Sequence, residues 1–422
     1  MSITNTIYAN SNIGFVSACC GSWKTHALMQ HIKENKNYHN HLIVLPSLKL
    51  VDQVYKDLNN LGISNITSIT SENTPEGKVK SSIVKFFKGC EDFGQALIIT
   101  WAAYDDLPYF QNKSNWKIFI DEVPQVNDFY TLDVSKNPQL ITDFIELKQS
   151  TNSETALIGI KEGCKNKLKN VSKSSDDGYE AFKPLYRSLL SENRDVFVDI
   201  NEWSAVIEGR KTGVKSGELT FLSMLNPNQF KNTTILAANF EDSLLFYWFK
   251  KFHGVKFTDY LPITNKLKHL AHDSQTGNRV NIKYFFDDRN FSKYTRNKPM
   301  GDNSTVGQEM DVLAAKIFEN DNFLYVVNKD YQPEFGDNAT PLPVKSHGMN
   351  NHQHYNNIYF NLALNYAPIQ ASLMSNLGFT NDDLLIANTF ETIYQNVMRT
   401  SLRAGTSNEP VTIVVPDIYC AT

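Results

Sequence analysis

Short, continuously apolar runs alternate with helical stretches along the first 125 residues, and this alternation is the strongest constraint on the fold. The runs "IGFVSACC", "HLIVLP", "QALIIT" and "WKIFIDEV" have the length and composition of buried strands. A predicted helix from about Lys24 to Lys33 follows the first run, and "SLKLVDQVYKDLNNLG" follows the second with apolar residues at helical spacing. Apolar strands separated by helices are typical of a parallel sheet covered on both faces. The sequence therefore predicts an α/β fold.

A second unit of the same class begins near Val280. It contains the predicted strands "VNIKYFF", "NFLYVVN", "NNIYFNLAL" and "VTIVVPD", and a helix is predicted through "LLIANTFETIYQNVMRTSLR". We therefore predict a first domain over residues 1–260, a linker over 261–279 and a second domain over 280–422.

The pattern loosens between about residues 128 and 232, which we interpret as an accessory segment inserted into the first domain. Its lysine-rich run, "KEGCKNKLKNVSKSSDDG", is interpreted as a solvated face. The run "DVFVDINEWSAVIEGRKTGVKSGELTFLSML" predicts a β-hairpin around Trp203. The strand pattern of the first domain resumes at "TTILAANF", near Ile235.

Composition narrows the possible partners. The formal net charge is -4, so any site for a polyanion must be a local patch. No apolar run is long enough to span a bilayer, and none of the five cysteines belongs to a C-x-x-C pair. We expect a cytoplasmic protein without a membrane partner. The chain has eight arginines and none precedes Arg187, so the first 186 residues cannot supply a guanidinium.

The segment "CCGSWKTHAL" contains most parts of a phosphate-binding loop. Such a loop needs inward backbone N–H groups, a lysine for the β- and γ-phosphates and a hydroxyl for Mg²⁺, all at a helix N-terminus. The residues that supply these parts are Gly21, Ser22, Lys24 and Thr25. The pattern G-x-x-x-x-G-K-[ST] fails at Ala18 and at Trp23, whose indole must point away from the phosphates. Taken alone, the loop is equally consistent with a chance Lys-Thr pair.

The strand "KIFIDEV" ends in two carboxylates, Asp121 and Glu122. A nucleotide site uses one carboxylate at a strand end to hold Mg²⁺ and often a second to polarise the attacking water. A solvated Asp-Glu pair at a strand end is the alternative, but here the pair ends a strand of the sheet that also carries "GSWKT".

A third group lies far downstream, where Gln395, Arg399 and Arg403 are spaced four residues apart on one side of a predicted helix. Phosphoryl transfer gains from a guanidinium that meets the charge on the γ-phosphate. Since no arginine precedes Arg187, this helix is the best candidate for its source. The alternative is an ordinary amphipathic helix with two exposed arginines.

In order and spacing, these segments resemble the motifs of superfamily 2 helicases of the DEAD/DEAH-like group, in particular the compact versions of phages and plasmids. The matching segments are "ACCGSWKT" for motif I, "LIVLPSLKLVDQV" for Ia, "LIIT" with Trp101 for Ib, "FIDEVP" for II, "TILAANFED" for III, "SHGMNNHQHYNNIYF" for V and "YQNVMRTSLR" for VI. The departures are Trp23 for glycine in motif I, Ala237, Ala238 and Asn239 for Ser-Ala-Thr in motif III, His347 for arginine in motif V, Met398 for glycine in motif VI, and a second motif VI arginine that comes one place late. The resemblance covers both ends of the chain and omits the insertion.

The resemblance implies two RecA-like (P-loop NTPase) parallel-sheet domains in tandem, with ATP and Mg²⁺ bound in the cleft between them. The implied nucleotide loop comprises Gly21, Ser22, Trp23, Lys24 and Thr25. The implied roles are phosphate neutralisation by Lys24, Mg²⁺ binding by Thr25 and Asp121, orientation of water by Glu122, contact with the γ-phosphate region by Gln395, and reach across the cleft by Arg399 and Arg403.

The resemblance also implies that nucleic acid runs over both sheets and is held mainly by its phosphates. The implied contact residues are Pro46, Ser47, Thr100, Trp101, Gly348 and Asn350. We expect single- or double-stranded nucleic acid as the partner, DNA in preference to RNA, and a replication or recombination protein as a partner of the insertion. A phage-encoded chain would act in the cytoplasm of the host cell.

The function implied is a nucleic-acid-dependent ATPase, a helicase or translocase. One alternative is another P-loop motor such as a DNA-packaging ATPase, which would have no use for the Gln-Arg-Arg helix of a second domain. A further alternative is a module that binds nucleotide or nucleic acid without hydrolysis, because Trp23 has disabled turnover.

Overall fold

A computed structural model of the protein describes residues 12–90, 93–107, 112–134, 137–152, 154–208, 217–301, 303–346, 348–349, 351–403 and 407–421. In chain order its strands are β1 (Asn12–Ser17), β2 (Asn40–Leu45), β3 (Ile66–Ser68), β4 (Ala96–Thr100), β5 (Trp116–Asp121), β6 (Asn127–Asp133), β7 (Ile145–Ser150), β8 (Thr155–Ile160), β9 (Arg194–Asp199), β10 (Glu218–Leu225), β11 (Thr233–Ala237), β12 (Lys256–Asp259), β13 (Val280–Phe286), β14 (Pro299–Met300), β15 (Ser304–Thr305), β16 (Phe323–Val327), β17 (Ala339–Pro341), β18 (Asn357–Asn361) and β19 (Val411–Asp417).

The α-helices are α1 (Lys24–Asn35), α2 (Leu48–Asn60), α3 (Val79–Gly89), α4 (Trp101–Asp105), α5 (Gln139–Thr142), α6 (Lys165–Val171), α7 (Lys183–Leu190), α8 (Ile200–Ile207), α9 (Leu244–Tyr247), α10 (Leu261–Thr264), α11 (Ser274–Asn278), α12 (Lys293–Arg296), α13 (Val306–Phe318), α14 (Pro368–Asn376), α15 (Asn381–Leu385) and α16 (Glu391–Val397). Two π-helical turns, Trp248–Phe252 and Ile386–Phe390, extend α9 and connect α15 to α16. Among the helices described, none combines the length and the apolar character needed to cross a bilayer.

The first sheet has seven parallel strands in the order β12-β1-β11-β5-β2-β4-β3. Helices α1 and α2 cover one face, where Leu28 and Ile32 pack with Val51, Val54 and Leu58. Because all the strands run in one direction, their carboxyl ends lie along one edge of the sheet. The loop after β1 and the end of β5 are therefore at the same edge, with only β11 between their strands.

The second parallel sheet has five strands in the order β13-β19-β18-β16-β17. Helix α13 packs with one apolar cluster through Met310, Ala314 and Phe318, and α16 packs with another through Ile393 and Val397. With the first sheet, this arrangement confirms the predicted fold class, two RecA-like α/β domains.

The residues predicted as an insertion form a separate antiparallel sheet in the order β6-β10-β9-β8-β7. Strands β9 and β10 pair as predicted, but the connection is not a simple hairpin. The Asp199 carboxylate accepts hydrogen bonds from the N–H groups of Asn201 and Glu202, and this cap begins helix α8. Trp203 therefore lies on a helix, with its side chain buried in the accessory core rather than at a hairpin tip.

The segment predicted as a linker packs against the loop after β1. Ile263 of α10 is fully buried in the α1–α2 core. The Cys19 N–H donates to the Leu270 carbonyl at 2.9 Å, and the Lys268 N–H donates to the Ser22 carbonyl at 3.3 Å. Residues 261–279 therefore brace the loop from outside the first sheet.

Candidate active site

The loop after β1 ends at Lys24, the first residue of α1. The Lys24 side chain is buried, and its ammonium donates hydrogen bonds to the carbonyl oxygens of Ala18 at 2.8 Å and Cys19 at 3.0 Å. Ser22 is also buried, with its hydroxyl 3.4 Å from the same ammonium. The Lys24 side chain thus lies at a helix N-terminus, where backbone N–H groups add partial positive charge.

Trp23 adopts the left-handed backbone conformation that glycine favours, with φ 69° and ψ 31°. For an L-residue this conformation costs on the order of 1–3 kcal/mol. The side chain is 57% exposed, with its indole edge-to-face with the His26 ring and the Lys268 ammonium 5.8 Å from the ring centroid. The loop therefore keeps the backbone shape of a glycine-bearing loop while its indole lies on the surface.

Thr25 and Asp121 meet beside this loop. The Thr25 hydroxyl donates to Asp121 Oδ2 at 2.7 Å. Burial, followed by the neighbouring Glu122 carboxylate, raises the pKa of Asp121, while the Thr25 hydrogen bond opposes the rise. Glu122 also has a left-handed backbone, with φ 74°, and its N–H donates to the Leu236 carbonyl at 2.7 Å. A hydroxyl and a carboxylate form the type of oxygen ligand set that Mg²⁺ prefers.

We predicted one helix through Gln395, Arg399 and Arg403, and this prediction is wrong beyond Val397, where α16 ends. The Met398 N–H still bonds four residues back, but the N–H groups of Arg399 and Thr400 each bond a carbonyl three residues back. The Thr400 hydroxyl donates to the Val397 carbonyl at 2.7 Å, which stabilises this tighter turn. Arg399 therefore lies in a turn and Arg403 in a 3₁₀ segment, Ser401–Arg403.

Residues from all three predicted groups nevertheless line one cleft of about 480 Å³ between the two parallel sheets. Those residues are Gly21, Trp23, Lys24, Thr25, Asp121, Glu122, Gln395, Arg399 and Arg403. Arg399 is buried, and it donates to the Ser346 hydroxyl at 3.2 Å and the Met349 carbonyl at 3.3 Å. Arg403 passes Gly21 so closely that a β-carbon on that glycine would lie 3.7 Å from its Cγ.

Direct hydrogen bonds connect the two walls of the cleft through residues that sequence reasoning did not select. The Cys20 N–H donates to the Tyr394 hydroxyl at 2.8 Å, and that hydroxyl lies 2.9 Å from His272 Nε2. These three residues come from the loop, from α16 and from the segment between the sheets. Nothing in the local patterns pointed to them, because Cys20 and Tyr394 are 374 positions apart.

Glu391 makes a second connection between the walls. Its carboxylate accepts a hydrogen bond from Asn239 Nδ2 at 3.1 Å and another from Gln395 Nε2 at 2.7 Å. Asn239 follows β11, on the opposite wall. Burial is the main cause that raises the pKa of Glu391 to about 7, and the Glu122 carboxylate adds to the rise. Its spacing of four residues from Gln395 was the only signal in the sequence that could have selected it.

Three of the predicted nucleic-acid contact residues, Pro46, Ser47 and Thr100, lie at the carboxyl-end edge of the first sheet. Ser47 and Thr100 follow the paired strands β2 and β4, and each hydroxyl caps the following helix by accepting a backbone N–H. A β-carbon on Gly348 would lie 3.8 Å from the Ser47 hydroxyl, and both Gly348 and Pro46 line the cleft. Trp101 is half-buried and packs near Tyr104 and Phe230. The last predicted residue, Asn350, lies outside the described residues.

No protein-family model matches the sequence, and no curated protein matches it. Similar solved structures include the Arterivirus nonstructural protein 10 helicase, at 8% identity, with 97% of this chain and 60% of that chain covered and a TM-score of 0.28. The complex of that helicase with DNA is 9% identical, with 97% of this chain and 62% of that chain covered and a TM-score of 0.28. T4 UvsW is 10% identical, with 96% of this chain and 64% of that chain covered and a TM-score of 0.23. This chain thus spans less than two thirds of those chains. Since TM-scores this low do not establish a shared fold, the RecA-like domains are recognised by their own strand order.

Proposed function

We propose that this protein is a nucleic-acid-dependent ATPase of the helicase or translocase type. Its first RecA-like domain spans residues 1–260 and its second spans 280–422. The observation that supports this function most strongly is that the loop after β1, the carboxylates at the end of β5 and the arginines after α16 line a single cleft. Positive groups on both walls and two carboxylates at one end suit a triphosphate and its hydrolysis.

The residues of the cleft fit ATP and Mg²⁺. The Lys24 ammonium leaves the carbonyls of Ala18 and Cys19 to bind the β- and γ-phosphates, helped by the N-terminus of α1. Thr25 and Asp121 would hold Mg²⁺, which would neutralise phosphate charge. In the described part of the chain no three His, Cys, Asp or Glu residues form a metal cluster.

Hydrolysis needs a group that orients water and a positive charge that meets the developing negative charge. Glu122 orients the water. Its left-handed backbone is held in place because its N–H donates a hydrogen bond to the Leu236 carbonyl at the end of β11. Arg399 gives up its bonds to Ser346 and Met349 when the triphosphate binds, and Arg403 reaches the triphosphate past Gly21. Gln395 contacts the γ-phosphate region.

Nucleic acid binds along the sheet edges beside this cleft, through Pro46, Ser47, Thr100 and Gly348, while contacts by Trp101 and Asn350 stay predictions from the sequence. The small residue Gly348 and the Ser47 cap lie beside each other, which allows backbone N–H groups of both domains to approach one phosphate chain. Closing and opening of the cleft then moves the protein along DNA.

A second candidate is a nucleotide-binding module that does not hydrolyse ATP. The left-handed backbone of Trp23 favours it, because a β-carbon occupies the position where glycine lets phosphates approach closely.

The test is steady-state ATP hydrolysis with single- and double-stranded DNA and RNA, for the wild type and for Lys24→Ala. We expect stimulation of turnover by DNA above that by RNA, and loss of turnover in the variant because the phosphates lose their cation. ATP binding that depends on Lys24 without any turnover would establish the second candidate. Turnover that survives in Lys24→Ala would refute the loop as the nucleotide site.

A further inference from the structure

Trp23 has no structural explanation within the nucleotide loop. Its left-handed backbone is unfavourable for any residue with a β-carbon, and its side chain is 57% exposed. The only ring and cation contacts described for its indole are the edge of His26 and the ammonium of Lys268 at 5.8 Å, both at the surface of the loop. An exposed aromatic ring on a strained backbone contributes little to folding, so a ligand is the better explanation for tryptophan at this position.

The cleft wall near Trp23 has the composition of a site for a planar heterocycle. Apolar side chains of α1 and α2, Met29, Leu50 and Val54, form part of the lining of the same cleft. Gln53 and Asp57, one helical turn apart on α2, add an amide and a carboxylate. Small-molecule sites combine a mostly apolar surface with a few polar groups of this type.

We propose that Trp23 is the base-stacking residue of the nucleotide site. The indole packs against the face of a purine whose triphosphate is held by Lys24 and Thr25, while Gln53 and Asp57 offer polar partners to the base edge and the ribose hydroxyls. A purine is favoured over a pyrimidine because its larger ring system covers more of the indole. This inference rests on the proposed function, since it assigns the base end of the same ligand.

Calorimetric titration with two ligands tests the proposal: ATP, and inorganic tripolyphosphate, which has the phosphates without the base. The variants are Trp23→Phe, which keeps an aromatic ring, Trp23→Ala, which removes the ring but keeps the β-carbon, and Trp23→Gly, which removes the ring and relieves the backbone strain. Tyr38→Ala is the matched control, because Tyr38 is a 69% exposed aromatic beyond the far end of α1.

We expect Trp23→Phe to bind ATP within about threefold of the wild type, and Trp23→Gly and Trp23→Ala to bind it about tenfold more weakly or worse. Tripolyphosphate affinity should stay unchanged in all three, and ATP should quench tryptophan fluorescence in the wild type but not in Trp23→Phe. The proposal is overturned if Trp23→Gly binds ATP as tightly as the wild type, or loses tripolyphosphate affinity to the same extent. If Lys24→Ala changes neither affinity, the nucleotide site itself is refuted.

Discussion

Glu391→Gln should favour the closed cleft. The Glu391 carboxylate lies between the two walls, where it accepts hydrogen bonds from Asn239 on one side and Gln395 on its own side. Burial raises its pKa from 4.5 to about 7, with a further contribution from Glu122. When the cleft opens, the carboxyl returns to water and recovers its ordinary pKa.

The size of the effect follows from this difference in pKa. At about 1.4 kcal/mol per pKa unit, the ionised carboxylate disfavours the closed cleft by about 3 kcal/mol above pH 7. Between pH 4.5 and 7 the closed form binds the proton and the open form does not, so closure strengthens as the pH falls through this range. The glutamine of Glu391→Gln is neutral at every pH and has one acceptor oxygen instead of two. Either Asn239 or Gln395 therefore loses its acceptor, at a cost of about 1 kcal/mol. The net expectation at pH 8 is about 2 kcal/mol in favour of closure, or roughly 30-fold in the equilibrium.

The assay is energy transfer between fluorophores placed at the exposed positions Tyr38 and Tyr294, measured from pH 5 to 8.5. The wild type should open progressively as the pH rises towards 7, and Glu391→Gln should stay closed and lose most of this dependence. Glu334→Gln, an exposed glutamate of the second parallel-sheet unit, is the matched control. A Glu391→Gln protein that opens more readily, or that keeps the wild-type pH dependence, would refute this reasoning.

Two further predictions concern contacts that the fold makes over long sequence distances. Tyr394→Phe removes the hydroxyl that accepts the Cys20 N–H and contacts His272. The equilibrium between the closed and open cleft should therefore shift towards the open form by roughly 2 kcal/mol, measured with the same energy-transfer assay. An unchanged signal would contradict the role of this hydroxyl. Gly14→Ala should lower the free energy of unfolding in urea by about 1–3 kcal/mol, because the new β-carbon would lie 2.6 Å from the Thr234 hydroxyl of the adjacent strand. Adding Thr234→Ala should restore part of this loss, and a lack of rescue would show that the overlap is not the cause.

The sequence predicted the parts of the fold that depend on local pattern. Apolar runs predicted five of the seven strands of the first sheet and four of the five of the second, but not the short strands β3, β12 and β17. The carboxyl ends of β1 and β5 placed the loop and Asp121 at one edge. The resumption of the first sheet at β11, after an intervening segment, was also visible, since "TTILAANF" has the same strand character.

The sequence could not predict features that depend on tertiary partners. Helical spacing continued past Val397, but the Thr400 hydroxyl stabilises a tighter turn there, so the arginines reach the cleft from a turn and a 3₁₀ segment. The contact of Tyr394 with Cys20 has no local signature, because each residue is ordinary in its own segment. The support of the loop by residues 261–279 was missed for the same reason: polar, irregular sequence was interpreted as a linker.

The central claim is that the loop after β1 and the arginines after α16 act on one triphosphate from opposite walls. The most direct test is the kcat and KM of DNA-stimulated ATP hydrolysis for Arg399→Ala, with Arg289→Ala, an exposed arginine paired with Asp288, as the control. We predict that kcat falls by about 1000-fold for Arg399→Ala while KM changes little, because the guanidinium acts on the charge of the transition state. Stimulated turnover at the wild-type rate in this variant would contradict the account and favour a P-loop motor that works without the second domain.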